Sequence, residues 1–223
     1  MHILVIGEES NLNECREKFG GGHQYFHKKD LSSAEKLTVQ CDVVFDFLMD
    51  RDPAQIGAYR DHSTAPLFVN TAKISLANLN RKINDHSGWF QFGFAGLPTF
   101  LNREVLEVSL AQEEHRGKLE EVCRQLNTPF QIVEDRVGLV TPRVICMIIN
   151  EAYYTVEEGT ASREDIDVAM KLGTNYPFGP FEWCQKIGVR HVYELLEAVC
   201  EDSRLERYCI CPLLKKEYLE SEK

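Results

Sequence analysis

Long apolar runs are missing from this chain. In its central helical stretch the longest uninterrupted run is Val144 to Ile149, far short of the ~20 residues a membrane span needs. Positive charge is also scarce: 25 Lys and Arg stand against 35 Asp and Glu, for a net charge of −10. An acidic surface repels phosphate backbones, and Lys28-Lys29 and Lys215-Lys216 are too short to make a basic patch, so a nucleic-acid partner is not expected. Targeting features are absent as well. Met1-His2-Ile3-Leu4-Val5-Ile6 enters an apolar run with no basic n-region and no small-residue cleavage site after it, so a cytoplasmic protein is expected. The eight cysteines lack the spacing of a disulfide framework and are read as reduced thiols. Cys209-x-Cys211 has no second Cys/His pair at zinc spacing, so no metal site is predicted. What is present is ordinary globular composition, 43% hydrophobic and 27% charged, in 223 residues. That length suits one or two domains with a sizeable core.

Residues 1–136 alternate short apolar runs with polar, periodic segments. Ile3–Ile6 reads as a strand buried on both faces. Val43-Val44-Phe45, Leu67-Phe68-Val69, Phe90/Phe92/Phe94, Val105/Leu106/Val108 and Gln131-Ile132-Val133 are further strands. Ser10 is a candidate cap for a helix running to Lys18, Pro53 opens one reaching Tyr59, and Glu113 to Leu126 is the longest helix of this half. The alternation predicts an α/β domain with a mostly parallel sheet. From 137 to 223 the pattern is all helix. Thr141 is a candidate N-cap with Pro142 behind it, and Gly159 stops that helix. Ser162 with Asp165 approximates a capping box for the next helix, which Gly173 ends. Pro180 opens a third that Gly188 ends, and a fourth covers about Arg190 to Cys200. The apolar positions of the first helix cover more than one face, which fits burial from several sides or a helix shared with a partner subunit. Tyr153, Tyr154, Phe178 and Trp183 fall in helical patterns and are read as packing residues.

After the first strand the chain reads Gly7-Glu8-Glu9-Ser10-Asn11-Leu12. A loop that cradles a dinucleotide pyrophosphate needs glycines at G-x-G-x-x-G spacing, for a tight turn and close backbone approach at a helix N-terminus. Only Gly7 meets that need; Glu9 and Leu12 hold the other two positions. Gly7 is thus the remaining cofactor-binding candidate, and Asp30 is the candidate ribose-binding acid. Lys28 and Lys29, just before Asp30, would suit a 2′-phosphate or simply a solvated loop. Carboxylates and a side chain beside a pyrophosphate favour a fold remnant over a rebuilt binding loop.

The segment from Asp135 to Gly188 carries a specific pattern. It runs Asp-Arg-Val-Gly-Leu-Val-Thr-Pro-Arg-Val, then Asn150-Glu151-Ala152, Glu157-Glu158-Gly159, Ser162-Arg163-Glu164-Asp165-Ile166-Asp167 and Pro177-Phe178-Gly179-Pro180-Phe181-Glu182. It resembles the start of the helical C-terminal domain of 3-hydroxyacyl-CoA dehydrogenases. Val105-Leu106-Glu107-Val108, Cys41-Asp42-Val43-Val44 and Asn70-Thr71-Ala72 resemble segments of that family's N-terminal domain. The resemblance implies a shortened Rossmann-like NAD-binding-type domain over 1–136 and a helical domain of the 6-phosphogluconate-dehydrogenase-like C-terminal type over 137–223. It further implies NAD as cofactor, a homodimer through the helical domain and an acyl-CoA as candidate ligand.

The reaction of that family uses a histidine to move the hydroxyl proton, a glutamate to orient it, and a serine and an asparagine to hold substrate. The resemblance places the glutamate at Glu107. The histidine position falls on Ala95, or on Phe94 with a one-residue shift; the serine position falls on Ala72 and the asparagine position on Pro142. Lys73 is the candidate substitute group, with His86, Thr141 and Arg143 as further neighbours. The expectation is a family member that has lost catalysis and acts as a dimeric binding or scaffolding protein. A diverged NAD(P)-dependent oxidoreductase built around Glu107 and Lys73, and an acyl-CoA binding module, are the alternatives.

Overall fold

A computed structural model describes residues 1–30, 40–51, 65–82 and 91–222. The chain divides into two compact units, Met1–Leu139 and Val140–Lys223. The sequence boundary of 136/137 lies a few residues earlier. The reason is local: Gly138, at φ 83°, donates its N–H to the Ala72 carbonyl at 2.8 Å and so ties 137–139 to the first unit.

The first unit is built on a seven-stranded sheet. Its strands are β1 (His2–Ile6), β2 (Gln24–Lys28), β3 (Val43–Asp46), β4 (Leu67–Asn70), β5 (Phe92–Phe94), β6 (Leu106–Leu110) and β7 (Phe130–Val133). Their order is β2-β1-β3-β4-β5-β6-β7, and every pairing is parallel except β5 with β6. Three helices are described with it: α1 (Glu9–Phe19), α2 (Leu76–Lys82) and α3 (Arg116–Gln125), the last preceded by a 3-10 turn at Glu113–His115.

Continuous apolar runs become two-faced strands. Ile3, Val5, Val43, Phe45, Phe68, Phe92, Phe94 and Val108 line one face and pack on Leu12, Cys15 and Phe19 of α1 and on Leu119, Val122 and Cys123 of α3. Leu4, Ile6, Val44, Leu67 and Val69 line the other and pack on Leu76 and Leu79 of α2. Phenylalanines form a cross-strand ladder, with Phe45 and Phe68 stacked at 4.7 Å and Phe68 and Phe92 also at 4.7 Å. Burying each ring contributes roughly 1.5–3 kcal/mol. In a doubly wound sheet a further strand usually lies outside the second. Here β2 is the edge strand among the described residues.

Some sequence expectations shift. Ser10 lies inside α1, and Glu8 takes the N-cap position with its backbone N–H bonded to the Asn11 side-chain oxygen at 2.8 Å. Strand β2 was not singled out, since Gln24, His27 and Lys28 break its apolar run. The helix expected from Pro53 to Tyr59, Phe90 and His86 lie outside the described residues.

The second unit contains α4 (Thr141–Glu157), α5 (Arg163–Thr174), α6 (Pro180–Ile187), α7 (Val189–Ser203) and α8 (Pro212–Ser221). Helix α4 packs against α5, α6, α7 and α8, which accounts for its broad apolar surface. Val140, not Thr141, is its N-cap; Thr141 is already helical and Pro142 sits in the first turn. Ser162 caps α5 by accepting the Asp165 N–H at 3.1 Å. That helix ends at Thr174 with Asn175 in the left-handed region at φ 55°, rather than at Gly173, because asparagine tolerates that conformation. Asp167 reaches across to the start of α6, accepting the N–H groups of Phe181 at 2.8 Å and Glu182 at 3.2 Å. Gly179 must be glycine there: a Cβ would lie 2.2–2.4 Å from the Asp167 side chain. Helix α8 was not expected from the sequence. Asn150, buried on α4, holds the segment before it by donating to the Cys209 carbonyl at 2.8 Å and accepting from Cys211 N–H at 2.9 Å.

Candidate functional site

Strands β1, β3, β4 and β5 end at one edge of the sheet, and antiparallel β6 begins there. The chain goes from β1 to β2 on one side and returns to β3 on the other, so strand order reverses between β1 and β3. Ligands of doubly wound sheets bind outside such a reversal, at the carboxyl ends of the strands.

Gly7 follows β1 at that point. Its N–H donates to the Lys28 carbonyl at 2.9 Å. A Cβ on it would lie 2.5 Å from Asn11 Oδ1 and 3.1 Å from Phe47 Cβ, so glycine is required by close approach of the chain's own side chains. The Asn11 oxygen takes up the Glu8 N–H, one of the first donors of α1, where an anion would otherwise meet the helix. Glu8 and Glu9 are both exposed beside it. His27, on β2, points Nε2 at the Gly7 carbonyl at 2.8 Å and Nδ1 at Glu9 Oε2 at 3.4 Å. Asp30 is exposed, just past β2.

At the ends of β3, β4 and β5 one amide joins three loops. Asn70 Oδ1 accepts the N–H groups of Ala72 at 3.1 Å and Gly96 at 2.9 Å, while Nδ2 donates to the Phe47 carbonyl at 3.3 Å. A Cβ on Gly96 would lie 2.7 Å from the Asn70 side chain, which explains the small residue. Lys73 sits just beyond, 3.8 Å from Asp50 Oδ2, with both side chains largely buried at 10% and 1% exposed. Asp135, past β7, receives the N–H groups of Leu76 and Ala77 at 2.8 Å each and caps α2. Neither Asn70 nor Asp135 was assigned a role from sequence; both lay in quoted motifs, but their partners are distant in the chain.

Glu107 is half-buried on β6. The β5–β6 register pairs Phe92 with Leu110, Gly93 with Ser109 and Phe94 with Val108. Continued by one residue, it sets Ala95 opposite Glu107. Phe94 instead belongs to the apolar cluster on α1 and α3. The position facing Glu107 therefore carries a methyl group, which moves no proton. Ala72 and Ala95 are themselves buried, at 0% and 6% exposed. Burial lowers the Arg103 guanidinium pKa, and the charge of Glu107 acts against that. Lys73, just past β4, and Glu107, at the start of β6, thus lie toward the same edge of the sheet. Pro142 is buried in the first turn of α4, and Arg143 beside it stacks on Tyr208 with its guanidinium carbon 5.5 Å from the ring centre.

The loop after β5 is gripped by α1. Glu14 Oε1 accepts the N–H groups of Leu101 at 3.1 Å and Asn102 at 3.2 Å, Glu17 accepts from the Asn102 amide at 2.8 Å, and Lys18 donates to the Arg103 and Glu104 carbonyls. Burial raises the Glu14 pKa, with the loop amides acting against it. Among the described residues no group of three His, Cys, Asp or Glu side chains could hold a metal ion, and no helix is long and apolar enough to cross a membrane. All eight cysteines are free.

Residues 138–223 match the family model of the 3-hydroxyacyl-CoA dehydrogenase C-terminal domain. A 3-hydroxyadipyl-CoA dehydrogenase of Escherichia coli is 42% identical over 96 residues, covering 43% of this chain and 20% of that protein. A 3-hydroxybutyryl-CoA dehydrogenase of Bradyrhizobium diazoefficiens is 26% identical over 197 residues, covering 85% of this chain and 67% of that protein. The match to the first relative thus spans about a fifth of its length. Among solved structures, FadB2 of M. tuberculosis superposes with a TM-score of 0.78 at 17% identity over 99% of this chain and 93% of that one, a likeness of fold.

Proposed function

The chain belongs to the 3-hydroxyacyl-CoA dehydrogenase family, and from that premise we propose that it has kept the family's fold without its redox chemistry and acts as a binding or scaffolding protein. The observation that carries this reading is the Asn11 side chain, bonded to the Glu8 N–H and packed against Gly7 where the first turn of a dinucleotide loop must lie open. The chain's residues fit NAD poorly at that point, and Glu8 and Glu9 add like charge beside a pyrophosphate. The methyl group of Ala95 opposite Glu107 supports it independently. Loss of a positioned acid/base alone removes roughly 10²- to 10⁴-fold in rate. Turnover is the test: purified protein with acetoacetyl-CoA and NADH is expected to show no oxidation of NADH above background, and turnover at about 1 s⁻¹ or more, within the usual enzyme range, would sink the reading.

A second reading keeps an oxidoreductase, with Lys73 as the acid. What favours it is the Lys73–Asp50 pair, a largely buried ammonium at the strand ends. Nicotinamide-cofactor binding that Lys73→Ala weakens would mark it. We further propose a homodimer through the helical unit, on which Val144, Val168 and Leu172 expose apolar surface at 52%, 51% and 83%. Sedimentation at micromolar protein tests it, a monomer being the contrary result. The free thiols suit a reducing compartment such as the cytoplasm.

A further inference from the structure

All five helices of the second unit contribute to one cavity of about 370 Å³. That volume lies in the range of small-molecule sites, roughly 300–1,000 Å³. Part of its wall is apolar and buried: Tyr153 and Phe181, with ring centres 5.0 Å apart, and Cys184. The chain sends a cation of its own against these rings. The Arg163 guanidinium carbon lies 5.2 Å from the centre of Tyr153 and 5.0 Å from that of Phe181. Arg163 pairs with Glu217 on α8, and Glu217 also accepts the Tyr153 hydroxyl at 2.6 Å.

The same walls select what else can enter. Two rings and a carboxylate that hold one cation are a recognition set for nitrogen cations. Burial pushes the Glu217 carboxyl up, but the bonds from Arg163 and Tyr153 outweigh it and hold it below its ordinary value. Glu217 is therefore an anion at neutral pH and cancels the charge of Arg163. Glu164 and Asp167 line the same cavity, with no further Lys or Arg among the described residues around it. Each Asp167 oxygen takes one N–H from the start of α6 and keeps a further lone pair. Glu164 is exposed in the first turn of α5, and its carboxylate bonds to no described residue. The start of α7, which has no side-chain cap, offsets about half a unit of this charge, so the excess stays negative. A metal ion does not fit, since no three His, Cys, Asp or Glu groups of the described residues could ligate one. Spread acceptors beside an apolar wall suit a larger cation that carries N–H donors and a carbon body.

We propose that this cavity binds a primary amine with an apolar body. Its ammonium group is shared by Glu164 and Asp167, and its body lies against Phe181, Cys184 and Val189. The site lies wholly within the second unit and does not rest on the loss of redox chemistry, so it stands or falls apart from any dinucleotide binding at β1.

The test uses the full chain at pH 7, where a primary amine is an ammonium ion. Phenethylamine hydrochloride is titrated against sodium chloride at matched ionic strength, following the backbone amide signals of Phe181, Cys184 and Val189 by NMR. Saturable movement by the amine within about 10 mM, and none by sodium chloride, is expected. Phenethyl alcohol, the same body without the charge, is expected to bind about tenfold more weakly or worse. Glu164→Gln, at an exposed position, is expected to weaken amine binding by about threefold or more, the effect of one exposed ion pair. Glu201→Gln, about 18 Å along α7 from Val189, is expected to leave it unchanged. Movement that is linear and equal for sodium chloride overturns the proposal. So does alcohol that binds as tightly as the amine, and so does amine binding that Glu164→Gln leaves untouched.

Discussion

Asp167 is the residue whose loss should cost the helical unit most for its size. Its carboxylate accepts two backbone N–H groups at the start of α6, from Phe181 and Glu182 at 2.8 and 3.2 Å. Those groups are orphan donors of the helix, at the positive end of its dipole. The absent Cβ of Gly179 lets the backbone come against the carboxylate. Helix α6 in turn carries Phe181, Trp183, Cys184 and Ile187 into the interior. A lost cap costs about 0.5–2 kcal/mol, and hydrogen bonds to a charged group contribute about 1.5–3 kcal/mol each. The two overlap here, so Asp167→Ala should destabilise by about 2–4 kcal/mol. Asp167→Asn keeps one acceptor oxygen and should cost about half as much. Hydrogen exchange at the Phe181 and Glu182 amides reads this directly, since each ~1.4 kcal/mol is a tenfold change in opening. Acceleration of roughly 30-fold or more is expected for the alanine variant. An effect under about threefold would refute the capping argument.

Other outcomes follow from named contacts. Phe45→Ala, in the middle of the phenylalanine ladder, should cost about 3–5 kcal/mol in urea unfolding of the first unit; a loss under about 1 kcal/mol would show that the ladder is loosely packed. Gly93→Ala would place a methyl 2.4–2.5 Å from the Ser109 and Thr71 hydroxyl oxygens and should cost about 1–3 kcal/mol, with no loss speaking against that packing. Tyr153→Phe removes the hydroxyl that donates to Glu217 at 2.6 Å and should lower stability by about 1.5–3 kcal/mol at pH 7; unchanged stability would show that the bond is balanced by solvation. Glu14 gives a pH dependence. Its folded pKa is raised, so the folded state holds this proton more tightly than the unfolded chain, and the group's contribution is present in acid and lost as pH rises through the folded value. Glu14→Gln, which keeps an acceptor for Leu101 and Asn102, should therefore be at least as stable as the parent at pH 7. Its advantage should shrink toward pH 4, and an advantage that grows in acid would reverse the sign of the argument.

Continuous apolar strands and helix punctuation were legible because their causes are local. Ile3–Ile6, Val43–Phe45 and Leu67–Val69 can only be strands with two covered faces, and Ser162, Pro180 and Gly188 mark helix ends through their own backbone chemistry. Strand β2 was not legible, since an edge strand needs no apolar run, and Gln24 and Lys28 sit in it comfortably. Asn175 took the left-handed turn that Gly173 was expected to supply, because either residue can adopt it. At the site, the missing glycines were visible, but the filling of Gly7 by Asn11 was not. That contact depends on how α1 leaves β1. The choice between Phe94 and Ala95 likewise needed the register of β5 on β6, which no spacing within one segment contains. The meeting of Arg163 with Glu217 joins residues 54 apart in the chain, brought together only by packing.

Whether the loop after β1 still takes a dinucleotide is tested by direct titration with NADH, following cofactor fluorescence. No saturable change is expected up to about millimolar cofactor, a binding free energy weaker than roughly −4 kcal/mol. Saturation in the micromolar range would contradict it and would return Gly7, Lys73 and Glu107 to the status of a working site.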